Sequence, residues 1–209
     1  MRFASRPSWR IELGDDADLS AALWIRDATG IVVEADDVPP CLTVRPPASR
    51  VLDGQDLSVV GRDWLAWWRA LLEARLDRRH NPPPGGAGEA LRQWAIASHA
   101  RVAAAGSMSD DFAALAHAPG LQRACRELAR QAHAARTRPG MESTPWPVYK
   151  QVVDEVAAAR RVDPSRLDGA VVVTPTGGGW WRVIEPGLVL ASDDAPTHDV
   201  VRAALESAL

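Results

Sequence analysis

The chain is poor in the residues and segments that characterise secreted and membrane proteins. Its 209 residues include two cysteines, Cys41 and Cys125, which form neither a CxxC pair nor the spacing of a metal site. A disulfide framework is therefore excluded, and a reducing environment is expected. No apolar run approaches the roughly 18 residues of a membrane span, and residues 1–10 lack the apolar stretch of a signal peptide. We expect a cytoplasmic protein that does not enter a membrane.

Lysine and two of the three aromatic residue types are also scarce. One Lys stands against 23 Arg, and one Tyr and two Phe stand against nine Trp. The abundant residue types have GC-rich codons, so the tryptophan count alone indicates no function. Apolar residues make up 46% of the chain and charged residues 24%, a balance typical of folded globular proteins. We therefore expect a folded chain, and its length allows a single domain.

The net charge of −3 is distributed unevenly. Residues 12–37 hold eight acids and one Arg, residues 62–138 hold twelve Arg and seven acids, and residues 139–209 hold ten acids and six bases. A basic middle could attract nucleic acid. However, its acids are interspersed and no groove-reading motif is present. We therefore expect solvated charged faces rather than a nucleic-acid partner.

Strands are predicted within residues 8–60. Trp9, Ile11 and Leu13 alternate with polar residues, which is the period of a half-buried strand. A hairpin is predicted after them: the apolar segments 22–26 and 31–35 flank a turn in which Gly30 could take a positive φ.

From residue 61 to residue 137 the apolar period becomes helical. In the helix predicted over residues 62–79, Trp64, Trp67 and Trp68 lie on a wide apolar stripe, and Pro82 ends the helix. Further helices are predicted over residues 89–105 and 121–136, with Cys125 in the apolar stripe of the second.

A helix, three strands and a helix are predicted over residues 144–209. The strands are 170–174, 180–184 and 188–191. Gly177, Gly178 and Gly179 are expected at a hairpin tip, because a phosphate-binding loop would need a helix after them rather than a strand. The whole chain predicts an α+β fold with short antiparallel strands near both termini and a mainly helical middle. A single domain is expected over residues 1–209, with a boundary near residues 137–144 as the alternative.

The leading functional hypothesis is a non-catalytic protein that binds a protein or peptide partner through a surface rich in Trp and Arg. Both residue types are enriched among interface hot spots. The hypothesis requires several indoles to be exposed in one patch. Arg75 projects from the indole face of its helix and could stack on a ring or bind an anion. The candidate binding residues are Trp64, Trp67, Trp68, Arg75, Trp180 and Trp181.

The alternative is an enzyme or ligand-binding protein with a pocket between sheet and helices. Asp193, Asp194 and His198, with the nearby Ser192, lie where the last strand leads into the last helix. They offer a nucleophile, acids and a base, although such a site is defined by geometry rather than by proximity in sequence. The histidines show no metal-ligand spacing, so neither a metal nor a cofactor is expected. Whether catalysis occurs and how many copies assemble are left open.

Overall fold

The computed structural model describes residues 9–86, 88–135 and 145–209. These residues confirm the α+β class, with strands near both termini and helices in the middle. The chain divides into two compact units, each assembled from separated segments. The sheet unit contains the described residues 9–16, 35–44 and 145–209, and the helical unit contains 17–34 and 45–135 without residue 87. The alternative boundary at residues 137–144 falls outside the described residues.

In the described part of the chain, the sheet has four strands in the order β1-β2-β4-β3. They are β1 (Arg10–Gly14), β2 (Asp168–Thr174), β3 (Trp181–Glu185) and β4 (Leu188–Ser192). The prediction of antiparallel strands is correct for the pairing of β3 with β4. It is wrong for the pairings of β1 with β2 and of β2 with β4, which are parallel. The reason is visible in β2, where residues 169–174 are all buried. Burial on both faces is typical of a central parallel strand.

Two helices of the sheet unit pack against its strands. They are α5 (Trp146–Arg160) and α6 (Thr197–Ser207), both close to their predicted positions. The two helices share an apolar cluster in which Val152, Val156 and Val201 are fully buried. Gly169 of β2 allows the close approach of α6, because a Cβ there would lie 3.2 Å from the Cβ of Ala204.

The described helical unit contains four α-helices. They are α1 (Ala17–Thr29), α2 (Leu57–His80), α3 (Glu89–Ala104) and α4 (Pro119–Ala134). Short 3₁₀ turns at Met108–Asp110 and Ala113–His117 connect α3 to α4. The α4 stripe is buried as predicted, including Cys125, and burial raises the pKa of this thiol. In contrast, α3 contributes a single buried residue, Ser98.

The hairpin predicted over residues 22–35 is wrong, because residues 17–29 form α1. Gly30 does adopt a positive φ of 69°, but it follows the last residue of a helix and is not part of a hairpin turn. The backbone N–H of Ile31 donates to the carbonyl of Arg26 at 3.1 Å, a bond typical of a glycine-terminated helix. A short apolar run and a following glycine fit both structures, so their pattern does not distinguish them.

The helix predicted to start at residue 62 begins five residues earlier, at Leu57. Its N-cap is Asp56, whose carboxylate accepts from the backbone N–H of Ser58 at 2.9 Å. The serine hydroxyl donates to the same oxygen, and these hydrogen bonds hold the pKa of Asp56 below its usual value. Capping of this kind satisfies an N–H group that has no partner within the helix.

Candidate functional site

The three tryptophans of α2 belong to the core of the helical unit. Trp64 and Trp68 are 0% exposed and Trp67 is 3% exposed. The rings of Trp64 and Trp68 stack with centroids 5.6 Å apart. The indole N–H of Trp64 donates to the carbonyl of Ala22 at 3.0 Å, and that of Trp67 donates to the carbonyl of Gly106 at 2.8 Å. These indoles therefore do not form the exposed patch that the partner-binding hypothesis requires.

The arginine that lies over an indole is Arg26 of α1. Its guanidinium carbon lies 5.7 Å from the centroid of the Trp64 ring. Its Nε donates to the Asp27 carboxylate at 2.7 Å, and both side chains are only 6% exposed. Arg26 is not a candidate in the sequence because the pattern of residues 22–26 predicts a strand rather than α1. Arg75 is half-buried on α2 and interacts with another group of the protein.

A pocket of about 440 Å³ lies within the helical unit. Residues from all four helices and from the turn at Met108–Asp110 line it. Its volume lies within the range of roughly 300–1,000 Å³ that is typical of small-molecule sites. The apolar lining consists of Ala17, Ala21, Trp67, Trp94, Ala95, Val102, Met108, Phe112 and Ala129.

The aromatic walls of the pocket are held in place by specific contacts. Trp67 packs edge-on against Phe112, with centroids 6.1 Å apart. The indole N–H of Trp94 donates to the carbonyl of Asn81 at 2.6 Å. Phe112 has a φ of 57°, in the left-handed region that non-glycine residues rarely adopt. Hydrogen bonds to Ser107 and Gln122 hold its backbone in this conformation, and strain of this kind is common at binding sites.

The polar lining divides into side chains that have partners and side chains that do not. The hydroxyls of Ser107 and Ser109 lie 2.6 Å apart and share a hydrogen bond, and Asp18 interacts with another group of the protein. Within the part of the chain that the structure describes, the other polar side chains of the lining make no hydrogen bond or ion pair. They are Ser98, His99 and His133.

No sequence pattern predicts this pocket. In the sequence, His99 is a candidate only as a metal ligand, and His133 is a candidate as a metal ligand or as part of a basic stripe on its helix, because histidines on separate helices carry no shared motif. Among the residues that the structure describes, no group of three or more His, Cys, Asp or Glu side chains is placed to hold a metal ion. The pocket lining offers apolar contact and hydrogen-bonding side chains.

The candidate residues after β4 form a structural turn. The Asp194 carboxylate accepts hydrogen bonds from the backbone N–H groups of Gly178 and Gly179 at 2.9 and 3.0 Å. It also accepts from the Ser192 hydroxyl at 2.7 Å. The hydroxyl and the two amides hold the pKa of Asp194 below its usual value. Burial, followed by the charge of Asp194, raises the pKa of Asp193.

The three glycines were predicted at a hairpin tip, and this prediction is wrong. Strand β4 lies between β2 and β3 in the sheet, so the glycine segment joins two strands that are not neighbours. Gly178 and Gly179 have positive φ values of 86° and 61°. Asp194 therefore fixes a connection that glycine makes possible.

His198 interacts with α5 rather than with the Ser192–Asp194 turn. Its Nε2 lies 3.1 Å from the Glu155 carboxylate, which also pairs with Arg202. Hydrogen bonds from Gln151 and His198 lower the pKa of Glu155. In a serine–histidine–aspartate relay the imidazole lies between the hydroxyl and the carboxylate. The hydrogen bonds described for these residues do not have that order.

Trp180 and Trp181 are both half-buried in the sheet unit. Trp181 packs against the apolar cluster formed by β2, β4 and α6. The carbonyl of Trp180 accepts from the backbone N–H of Ser192 at 2.8 Å. The six candidate binding residues are thus divided between the two units, with Trp64, Trp67, Trp68 and Arg75 in the helical unit.

We expect Asp194→Ala to lower the free energy of unfolding by roughly 1 kcal/mol at neutral pH, since the Ser192 hydroxyl and the two glycine amides lose an exposed acceptor that solvent partly replaces. The folded state depresses the pKa of Asp194 below 3.8. Its stabilisation is therefore present above that pH and lost as the pH falls through the folded-state pKa. Urea denaturation of both proteins between neutral and acidic pH should show the difference shrinking.

Asp36→Ala is the control for this experiment, because Asp36 is an exposed acid of the same unit. It should change stability little at any pH. A difference between wild type and Asp194→Ala that persists unchanged at low pH would contradict the role of the carboxylate charge.

No described helix is both long enough and apolar enough to cross a membrane. Comparison of the chain with profiles of protein families, with curated proteins and with solved structures gives no match.

Proposed function

We propose that the helical unit binds a small, mainly apolar molecule in its 440 Å³ pocket. The observation that carries the proposal is the combination of three aromatic walls with polar lining side chains that have no partner in the described protein. Most small-molecule sites combine an apolar lining with a few polar groups that orient the ligand. The sequence-based alternative expected a pocket between sheet and helices, whereas this pocket lies among helices.

Binding of a protein or peptide partner remains a prediction, as does a cytoplasmic location. The burial of Trp64, Trp67 and Trp68 removes much of the indole surface on which that hypothesis relied. An exposed indole does exist elsewhere. Trp146 is 64% exposed and stacks on Trp9 with centroids 4.5 Å apart. Small-molecule binding has the stronger support because the pocket combines volume, aromatic contact and hydrogen-bonding groups.

Filling the pocket should abolish binding of a neutral apolar probe. Ala95 lines the pocket from α3, and Ala95→Trp places a large ring where a ligand would lie. We expect the wild-type chain to bind the neutral fluorophore 6-propionyl-2-dimethylaminonaphthalene at one saturable site. The substitution should weaken this binding at least about tenfold. Fluorescence titration of the probe measures both affinities.

Ala97→Trp is the matched control. Ala97 is an exposed alanine of the same helix but does not line the pocket. This variant should bind the probe as the wild-type chain does. Equal binding by wild type and Ala95→Trp, or equal losses in the two variants, would contradict the proposed site.

A further inference from the structure

The lining side chains without partners indicate which ligand group the pocket would recognise. Ser98 offers a hydroxyl, and His99 and His133 offer two imidazoles. Ser98 and His99 are consecutive on α3, whereas His133 comes from the last turn of α4. A hydroxyl and an imidazole can each donate a hydrogen bond, and histidine in general can become cationic near neutral pH. Together they suit a group rich in acceptor oxygens.

The exposure of the two histidines places the polar group near solvent, whereas Ser98 is buried. His99 and His133 are both exposed, whereas Trp67 and Phe112 of the same lining are 3% exposed. The imidazoles therefore mark the outer part of the pocket, and the aromatic rings mark its inner part. An amphipathic ligand would place its apolar body against the rings and its polar group beside the imidazoles.

The charges of the lining distinguish among anions. Its one acidic side chain, Asp18, already interacts with another group of the protein. No Lys or Arg is among the described residues that line the pocket. Phosphate sites typically use Arg for paired, charge-assisted hydrogen bonds. Two imidazoles and one hydroxyl instead provide hydrogen-bond donors for the two oxygens of a carboxylate, which carries a single charge.

We propose that the ligand of this pocket is a carboxylate with an apolar body, and that His99, His133 and Ser98 donate hydrogen bonds to the carboxylate. The inference rests on the proposed function, since it specifies what the same pocket binds. It adds a chemical requirement that a purely apolar cavity would not impose.

Three ligands with the same ring system test this requirement. They are 2-naphthoate, the neutral 2-naphthamide and the cationic 2-naphthylmethylammonium. Calorimetric titration of the full chain should show 2-naphthoate binding at least about tenfold more tightly than 2-naphthamide, with the cation weakest. The common naphthalene body keeps the apolar contribution similar across the series.

Substitution of the histidines tests where the preference arises. The double variant His99→Gln/His133→Gln retains hydrogen-bonding side chains but cannot carry a positive charge. It should lose most of the preference for 2-naphthoate while binding 2-naphthamide as the wild-type chain does. His117→Gln is the control, because His117 is an exposed histidine outside the lining whose ring contacts the carbonyl of Ala114. That control should retain the wild-type preference.

The possible results separate the two proposals. If 2-naphthamide binds as tightly as 2-naphthoate and Ala95→Trp abolishes both, the pocket is a binding site but the carboxylate inference is wrong. If the double histidine variant keeps the full preference for 2-naphthoate, the inference is also wrong. If none of the three compounds binds at millimolar concentration while the neutral fluorophore does, the carboxylate inference alone is wrong. If the fluorophore does not bind either, or if Ala95→Trp leaves binding unchanged, the proposed function itself fails.

Discussion

Trp64→Ala is expected to lower the free energy of unfolding by about 3–5 kcal/mol, the usual cost of truncating a buried tryptophan. The side chain is 0% exposed and stacks on Trp68. Its removal leaves a cavity and deprives the carbonyl of Ala22 of its hydrogen-bond donor. It also removes the ring over which the Arg26 guanidinium lies. Urea denaturation followed by helical circular dichroism measures the loss.

Trp146→Ala makes the same chemical change at the protein surface. Trp146 is 64% exposed and its main aromatic contact is a stack on Trp9. We expect a loss below about 1.5 kcal/mol, the upper value for an aromatic pair. Similar losses of unfolding free energy in the two variants would contradict the contribution to core stability that we infer from the burial of Trp64.

Arg26→Met is the second substitution with a large expected effect. It removes the cation paired with Asp27, leaving a carboxylate whose side chain is only 6% exposed without this partner. Breaking a buried ion pair from one side costs about 3–5 kcal/mol, because the remaining charge is poorly solvated. Chemical denaturation at neutral pH should therefore show a strongly destabilised variant even though methionine fills a similar volume.

The double variant Arg26→Met/Asp27→Asn separates charge from packing. Neutralising both members should restore a large part of the lost stability, since the asparagine of the double variant carries no charge that requires the Arg26 cation. Arg130→Met is the surface control because Arg130 is exposed on α4, and its effect should stay within about 0.5 kcal/mol. If the double variant were as unstable as Arg26→Met, packing rather than the loss of the cation beside Asp27 would explain the destabilisation.

The helical and C-terminal elements were predictable because their signals are local. The α4 stripe repeats at helical spacing and is buried as expected. The three C-terminal strands are separated by glycine and proline residues, and Gly187 has the positive φ of 79° that the turn between β3 and β4 requires. Such signals depend on residues close together in the chain, so the elements they predict are present in the folded structure.

Strand pairing and the identity of α1 were not predictable in this way. The run Ala22–Ile25 is buried throughout, and an apolar run that short suits a buried strand as well as a buried helix. The parallel pairing of β1 with β2 joins residues near opposite ends of the chain. The alternation of β1 predicts a strand but carries no information about its partner or direction.

The candidate pocket was the least predictable feature. Trp67, Phe112, His99 and His133 lie on different elements, and no fixed spacing connects them. The predicted indole surface failed at α2 because amphipathic spacing identifies an apolar stripe without showing what covers it. For the same reason, the sequence indicates Arg75 as the candidate for an indole contact, whereas the observed contact is made by Arg26.

The sequence by itself determined the α+β class, most helices and the C-terminal strands, because these depend on local periodicity, capping and turn residues. Tertiary structure decided strand direction, the burial of the indoles, the partner of each charged group and the convergence of His99 and His133 on one pocket. These features depend on contacts between distant segments, and the free energy of such contacts comes from burial and geometry that no single segment contains.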